Sequence, residues 1–179
     1  MTTLRPNLEL GPYLTVIDKP KNIISIFDEL RYDRADADMI SPAMRRHVTK
    51  KLKTLGFNQK SGNIIENTLE DIQCIIPKSH ALGASPFDIL RYTKKRLQDY
   101  YILTPTQTAC QLIESYSTEN AVLKIAELIE KQPINVNRVY DYLEDNETHK
   151  AFLPAIPHLR YLQRLALASE PLYRMRALK

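Results

Sequence analysis

The sequence predicts an all-α protein, a single-domain bundle of about seven or eight helices with an extended N-terminal arm. A hydroxyl residue followed by proline opens three predicted helices, at residues 41–42, 85–86 and 104–105. The hydroxyl caps the first turn, and proline lacks the N–H that this turn would leave unbonded. No glycine follows Gly83, and no Asn-Gly or Asp-Gly pair marks a hairpin. A length of 179 residues, 44% of them hydrophobic, suits one domain with one core.

The first part of the chain is predicted to be an arm followed by a helix. Residues 1–20 carry three prolines and no helical period, so they form the extended arm, in which residues 13–17 also fit a short strand. Residues 22–32 place apolar side chains at helical spacing. The helical core domain is predicted to run over residues 21–156.

Residues 41–57 form the most distinctive predicted helix. Ser41 suits the cap, Pro42 suits the first helical position, and Gly56 can adopt the left-handed conformation that ends a helix. On a helical wheel, the apolar residues form one narrow stripe, and the cations lie opposite the stripe or beside it. The stripe consists of Met44, Val48, Leu52 and Leu55, and the cations are Arg45, Arg46, Lys50, Lys51 and Lys53. The segment contains no carboxylate, which indicates a surface for an anionic partner.

Two further helices are predicted over residues 63–76 and 86–102. The first has one apolar side, formed by Ile65, Leu69, Ile72 and Ile76. The second carries a basic cluster at residues 91–96 that Asp88 and Asp99 partly balance. This pattern is typical of a solvated, salt-bridged face.

Three helices follow, over residues 105–116, 119–132 and 137–145. Thr104 and Gln107 match a capping box at the start of the first, and the second is apolar around most of its circumference, which predicts the most buried helix of the bundle. The last two are arranged like a DNA-binding helix-turn-helix unit, but residues 114–147 hold eight carboxylates against three cations. An acidic helix does not suit a groove lined by phosphates, so this pair is interpreted as structural.

The C-terminal segment, residues 157–179, is predicted to be a basic helical segment that packs on the core or on a partner. It is interrupted at Pro171 and contains four arginines, Arg160, Arg164, Arg174 and Arg176. A basic amphipathic helix also suits a membrane surface. Tyr161 and Tyr173 are its only aromatic anchors, so packing against protein is favoured.

The motifs that are missing exclude several kinds of site. Cys74 and Cys110 cannot form a disulfide framework or a zinc site, and the four glycines form no phosphate-binding loop. The four histidines have no spacing that places a base beside a nucleophile or a metal. We therefore expect no enzyme, no cofactor and no metal. No apolar run approaches the roughly 20 residues that cross a bilayer, and the start lacks a secretion signal, so a cytoplasmic protein is expected.

Two functional hypotheses remain. The first is a non-enzymatic nucleic-acid-binding accessory or regulatory protein that contacts phosphates through the basic helix, with DNA favoured over RNA. Its predicted contact residues are Arg45, Arg46, Lys50, Lys51, Lys53, Arg160, Arg164, Arg174 and Arg176. The second is a helical protein–protein interaction module, an adaptor or subunit of a larger assembly that binds no nucleic acid. Its partner would be an acidic protein surface or a second copy of the chain, and neither hypothesis involves a membrane.

Overall fold

A computed structural model describes residues 14–26, 42–76, 99–132 and 134–169 of the chain. These residues form two compact units, which meet in sequence between Leu103 and Thr104. The first unit contains a six-stranded mixed sheet, and the second is helical. The predicted all-α bundle is therefore wrong, and the protein has an α/β fold.

The sheet of the first unit is assembled from strands that are distant in sequence. Its strands are β1 (Leu14–Asp18), β2 (Ile23–Ile26), β3 (Asn58–Gln59), β4 (Ile64–Asn67), β5 (Ile72–Ile75) and β6 (Tyr100–Leu103). Their order across the sheet is β1-β2-β6-β5-β4-β3. Strand β6 lies between β2 and β5 and runs parallel to both, with Ile23 opposite Tyr101 and Cys74 opposite Tyr100. The other neighbouring strands pair antiparallel.

Helix α1 (Pro42–Thr54) covers one face of this sheet. Its buried residues Met44, Val48 and Leu52 join a core with residues of five strands, among them Ile24 and Ile102. The alternation of side chains along a strand directs a second set to the opposite face. That set is the buried cluster of Ile23, Ile75, Tyr101 and Leu103. Both faces of the central strands are therefore buried.

The segment predicted as a helix over residues 63–76 is a hairpin made of β4 and β5. Ile65, Ile72 and Ile76 are buried on one face of the sheet, as members of the same core. Leu69, the fourth member of the predicted stripe, is 95% exposed in the turn between the strands. Asp71 makes this turn possible in the absence of glycine, because it adopts a left-handed φ of 53°.

Two other predicted segments contain strands. Residues 23–26 of the predicted helix 22–32 form β2, and residues 100–103, at the end of the predicted helix 86–102, form β6. The strand that residues 13–17 fitted within the predicted arm is present as β1, so these residues are part of the sheet. A 3₁₀ turn, Lys19–Lys21, joins β1 to β2.

The described α-helices of the second unit are α2 (Pro105–Ser115), α3 (Thr118–Lys131), α4 (Val136–Tyr142), α5 (Glu147–Phe152) and α6 (Ile156–Ser169), with a 3₁₀ turn, Leu153–Ala155, before α6. All of them lie close to predicted helices except α5, which was not predicted. The predicted capping box is confirmed, because Thr104 Oγ1 accepts from the Gln107 N–H and Gln107 Oε1 accepts from the Thr104 N–H, each at 3.1 Å. Among the helices that the structure describes, α2 is the most buried, with Pro105 to Ile113 all buried, so the prediction for the helix at 119–132 is wrong.

Several predicted features lie outside the described residues. They are the cap at Ser41, the helix start at Ser85-Pro86, the basic cluster at 91–96, and Arg174 and Arg176. Within the described ranges, no helix combines the length and apolarity needed to cross a membrane.

Candidate nucleic-acid interface

A basic cleft lies beside α1 in the first unit. Its volume is about 380 Å³. The described residues that line it are Arg45, Arg46, Thr49, Lys50, Lys53, Gln59, Gly62, Ile65 and Ile76. Four of these nine residues are cationic and none is acidic, so the cleft is suited to an anion.

Local sequence fixes the direction in which α1 presents its cations. The buried stripe of Met44, Val48 and Leu52 holds one face of the helix against the sheet. With 3.6 residues per turn, Arg46 and Lys50 must then face away from that core, and both are exposed. Pro42 begins the helix, as predicted, and Gly56 follows its end with a left-handed φ of 84°, which confirms the predicted stop.

A buried asparagine ties the end of α1 to the hairpin. Asn67 Nδ2 donates to the Leu55 carbonyl at 3.3 Å, and its Oδ1 accepts from the backbone N–H groups of Leu69 and Glu70 at 3.1 and 3.3 Å. One side chain therefore satisfies the helix terminus and the β4–β5 turn together. This contact holds the end of α1, which carries Lys53, next to β4.

Arg45 connects α1 to the turn between β3 and β4. Its guanidinium donates to the Gly62 carbonyl and, at 3.4 Å, to Asn63 Oδ1. Partial burial lowers the pKa of Arg45 from its ordinary value, but a guanidinium stays charged in proteins. Arg45 thus contributes positive charge to the cleft and also positions the turn that forms its wall.

The other cleft cations have no such contact within the described part of the chain. The side chains of Arg46, Lys50 and Lys53 make no hydrogen bond or ion pair with any residue that the structure describes. Lys60, by contrast, forms an ion pair with Glu66 at 2.6 Å across the hairpin. Lys51, predicted as a contact residue, is half-buried and does not line the cleft. The structure therefore brings together four of the five predicted α1 cations.

The predicted C-terminal contact residues belong to the second unit. Arg160 and Arg164 are exposed on α6, and the Arg160 guanidinium lies 5.7 Å from the centroid of the Tyr140 ring. Neither arginine lines the cleft.

The helix pair α3 and α4 has the charge distribution that argued against a DNA-reading role. Arg138, the one cation of α4, lies 3.8 Å from the carboxylate of Asp141 on the same helix. Asn135 caps α4 by accepting from the Arg138 N–H at 3.2 Å. These contacts stabilise the helix.

A buried histidine in the second unit was not foreseen from the sequence. His149, 2% exposed, places Nε2 2.7 Å from Glu114 Oε1, and its Nδ1 accepts from the Glu144 N–H at 2.8 Å. Because the backbone N–H occupies Nδ1, the ring hydrogen lies on Nε2 and is donated to Glu114. Tyr142 donates to the same carboxylate oxygen at 2.9 Å. Burial, followed by this hydrogen bond, raises the pKa of Tyr142.

This arrangement is structural, because both ring nitrogens of His149 are engaged. Nδ1 is also 3.0 Å from Asn146 Nδ2, and Asn146 Oδ1 caps α5 by accepting from the His149 N–H at 2.8 Å. A general base needs a free ring nitrogen directed at its substrate. The partner Glu114 is distant in sequence, so no short motif could have indicated the contact.

The described residues offer no cluster of three or more histidine, cysteine or acidic side chains that could hold a metal. Both cysteines are buried and free. Burial, and then the charge of Asp99, raises the pKa of the Cys74 thiol, which disfavours the reactive thiolate. The basic cleft is thus the feature of the described surface with the clearest chemical specificity.

Comparison of the chain with protein family models, with curated proteins and with solved structures found no match. A function for this chain must therefore be inferred from the chemistry of its own surface.

Proposed function

We propose that this protein is a non-enzymatic nucleic-acid-binding accessory or regulatory protein that contacts phosphates through α1. The observation that carries the proposal is the cleft lined by Arg45, Arg46, Lys50 and Lys53, with no acidic residue among its described lining. Phosphate oxygens are the anions that arginine and lysine most often contact in nucleic-acid complexes.

The proposed contacts position a nucleic acid without reading its sequence. Phosphate contacts carry no sequence information, whereas base readout requires side chains that reach base edges. The described cleft presents charge along one helix and offers few polar groups besides Thr49 and Gln59. Binding is therefore expected to be weakly dependent on sequence and strongly dependent on salt.

Charge reversal of the exposed cleft cations tests the proposal. The variant combines Arg46→Glu, Lys50→Glu and Lys53→Glu, and fluorescence anisotropy measures its affinity for labelled DNA and RNA at several salt concentrations. We expect a loss of at least about a hundredfold at low salt, because three favourable phosphate contacts become repulsive.

A control variant reverses the same number of charges elsewhere. Lys131→Glu, Arg138→Glu and Lys150→Glu change three exposed cations of the second unit. Circular dichroism verifies that both variants fold. Equal affinity of the folded cleft variant and the wild type would refute the proposal, and equal loss in both variants would show that net charge alone governs binding.

The C-terminal arginines are proposed as a second, supporting contact region. Arg160 and Arg164 are exposed, and Arg174 and Arg176 extend the basic sequence. Replacing all four with glutamine should weaken binding by less than the cleft variant does. It should also flatten the slope of log affinity against log salt, because fewer counterions are released.

A second candidate function is an interaction module of a larger assembly. It is favoured by large apolar side chains exposed on helices of the second unit, which are Leu123, Tyr140, Tyr161 and Leu165. Exposed apolar side chains mark a protein-binding surface where they form a contiguous patch. This candidate predicts a homo-oligomer or a hetero-complex with an acidic partner, and weak nucleic-acid binding. Light scattering would contradict the homo-oligomer if the protein is monomeric at high concentration.

A further inference from the structure

We infer that the basic cleft takes a single, flexible strand of nucleic acid rather than a duplex. This inference rests on the proposed function and specifies its ligand. It follows from the size of the cleft, from the wall that the β3–β4 turn forms, and from the row of cations along α1.

The size of the cleft limits what can enter it. A volume of about 380 Å³ lies at the lower end of the range of small-molecule pockets, about 300–1,000 Å³. That space accommodates a unit of about one nucleotide. A single strand can insert such a unit because its backbone is flexible, whereas a duplex is stiff over many base pairs and presents phosphates on a convex surface.

The wall of the cleft is held in place by contacts within the first unit. Arg45 fixes the turn through Gly62 and Asn63, and the Lys60–Glu66 ion pair lies across the same hairpin. A ligand that enters the cleft must therefore fit between the helix and this turn. A flexible single strand suits such a concave space better than the convex surface of a duplex does.

The row of cations matches an extended backbone. Arg46, Lys50 and Lys53 lie on one side of α1 at spacings of four and three residues, so the row is about 10 Å long at 1.5 Å per residue. The described lining has no aromatic side chain, although aromatic stacking platforms are common in single-strand-binding proteins. Recognition should thus depend on phosphates alone, with little preference among bases.

A steric variant distinguishes entry into the cleft from binding across its outside. A Cβ added at Gly62 meets no atom within 4 Å, so Gly62→Leu adds bulk at the wall without a clash at the Cβ and without changing charge. Thr49→Leu narrows the cleft from the helix side. Gly62→Ala is the matched control, because one methyl group fills little of the space.

The test compares a labelled oligothymidylate with a duplex of the same length by fluorescence anisotropy. We expect the single strand to bind at least about fivefold more tightly, although general electrostatics favours the duplex with its higher charge density. Both leucine variants should weaken single-strand binding by about tenfold, with Gly62→Ala close to wild type. The slope of log affinity against log salt should be near about −2, from about −0.7 for each of three neutralised phosphates.

The outcomes separate this inference from the proposed function. If the duplex binds at least as tightly and the leucine variants bind like wild type, the single-strand inference is overturned. The proposed function still stands in that case, provided that the triple glutamate variant loses affinity. If neither nucleic acid binds the wild-type protein, both are overturned.

Discussion

Two glycines of the first unit have opposite conformational requirements. Gly56 adopts a φ of 84°, and a Cβ at this position would lie 3.3 Å from Asn67 Nδ2, the atom that donates to Leu55. Gly62 has no such constraint, since a Cβ there meets open space. Only the first position therefore needs glycine for its backbone conformation.

We expect Gly56→Ala to lower the free energy of unfolding by about 1–2 kcal/mol, the typical cost of a left-handed conformation for a residue with a Cβ. Gly62→Ala should change it by less than about 0.5 kcal/mol, as for an ordinary surface position. Urea denaturation of the two variants and the wild type measures both values. Equal stability of the two variants would contradict the assigned role of Gly56.

A second prediction about a single residue concerns His149. His149→Ala leaves the Glu144 N–H without its acceptor and opens a cavity at a buried position, so we expect a loss of roughly 2–4 kcal/mol. His158, exposed on α6, provides the matched control, and His158→Ala should stay within about 0.5 kcal/mol of wild type. Thermal or urea denaturation measures both variants. A small effect at His149 would show that the unit reorganises around the missing ring.

The residues whose roles can be predicted from the sequence are those that depend on their immediate neighbours. Gly56 and the pair Thr104 and Gln107 act within one helix end, so their roles could be predicted. His149 and Asn67 bond to groups that are distant along the chain or separated by a turn. Their partners follow from the fold, which no local pattern specifies.

At the scale of elements, the helices that begin at Pro42 and Pro105 were predicted from local start signals. Among the described strands only β1 was anticipated, as an alternative to an extended arm. The β4–β5 hairpin shows the physical reason. Ile65, Ile72 and Ile76 lie on one sheet face. The turn sets the spacing between Ile65 and Ile72, and strand alternation sets that between Ile72 and Ile76, but both spacings also fit a helix. In β2, all four residues are buried, so the alternation that identifies a half-buried strand is missing.

The candidate site was predicted in part for the same reason. The cationic side of α1 follows from helical periodicity within one segment, and four of its five cations line the cleft. The wall at Gln59 and Gly62 could not be predicted, because it depends on the strand pairing of β3 with β4. The sequence thus indicated a charged surface, and the hairpin makes that surface concave.

The N-caps of the neighbouring helices α2 and α3 allow a prediction in which one capped helix is compared with one that lacks a capping hydrogen bond. Thr104 accepts from the Gln107 N–H at the start of α2, whereas Ser117 makes no capping hydrogen bond at the start of α3. Thr104→Ala should therefore cost about 0.5–2 kcal/mol. Ser117→Ala should cost less. Chemical denaturation compares them, and an equal cost would show that the capping box adds nothing to stability.

At the scale of the whole molecule, buried thiol and phenol groups make the free energy of unfolding fall at alkaline pH. Burial raises the pKa of the Cys74 thiol in the folded state above its ordinary value of about 8.5. The unfolded chain then releases this proton at lower pH than the folded protein does. The stabilising contribution is complete below about pH 8.5 and is lost as pH rises beyond it. Tyr101 and Tyr142, whose pKa values are also raised, act in the same direction above about pH 10.

We expect the free energy of unfolding to fall with pH above about pH 8.5, with Cys74 contributing a slope of up to about 1.4 kcal/mol per pH unit. Cys74→Ala should reduce this slope. Ile75→Val, which weakens the core without removing a titrating group, should leave the slope unchanged. Urea denaturation between pH 7 and 10 measures all three proteins, and an unaltered slope in Cys74→Ala would contradict the assignment.

The position of β6 has a consequence for how the chain folds during synthesis. Among the described strands, the one that joins β1-β2 to β5-β4-β3 is the last in sequence, so a ribosome releases two incomplete half-sheets before it releases their connector. Until Tyr100–Leu103 emerges, β2 and β5 each present an unpaired edge, and such edges promote aggregation. Pairing across long sequence separation is also slow. A nascent chain stalled before residue 100 should therefore depend on a chaperone, and release of the next few residues should end that dependence.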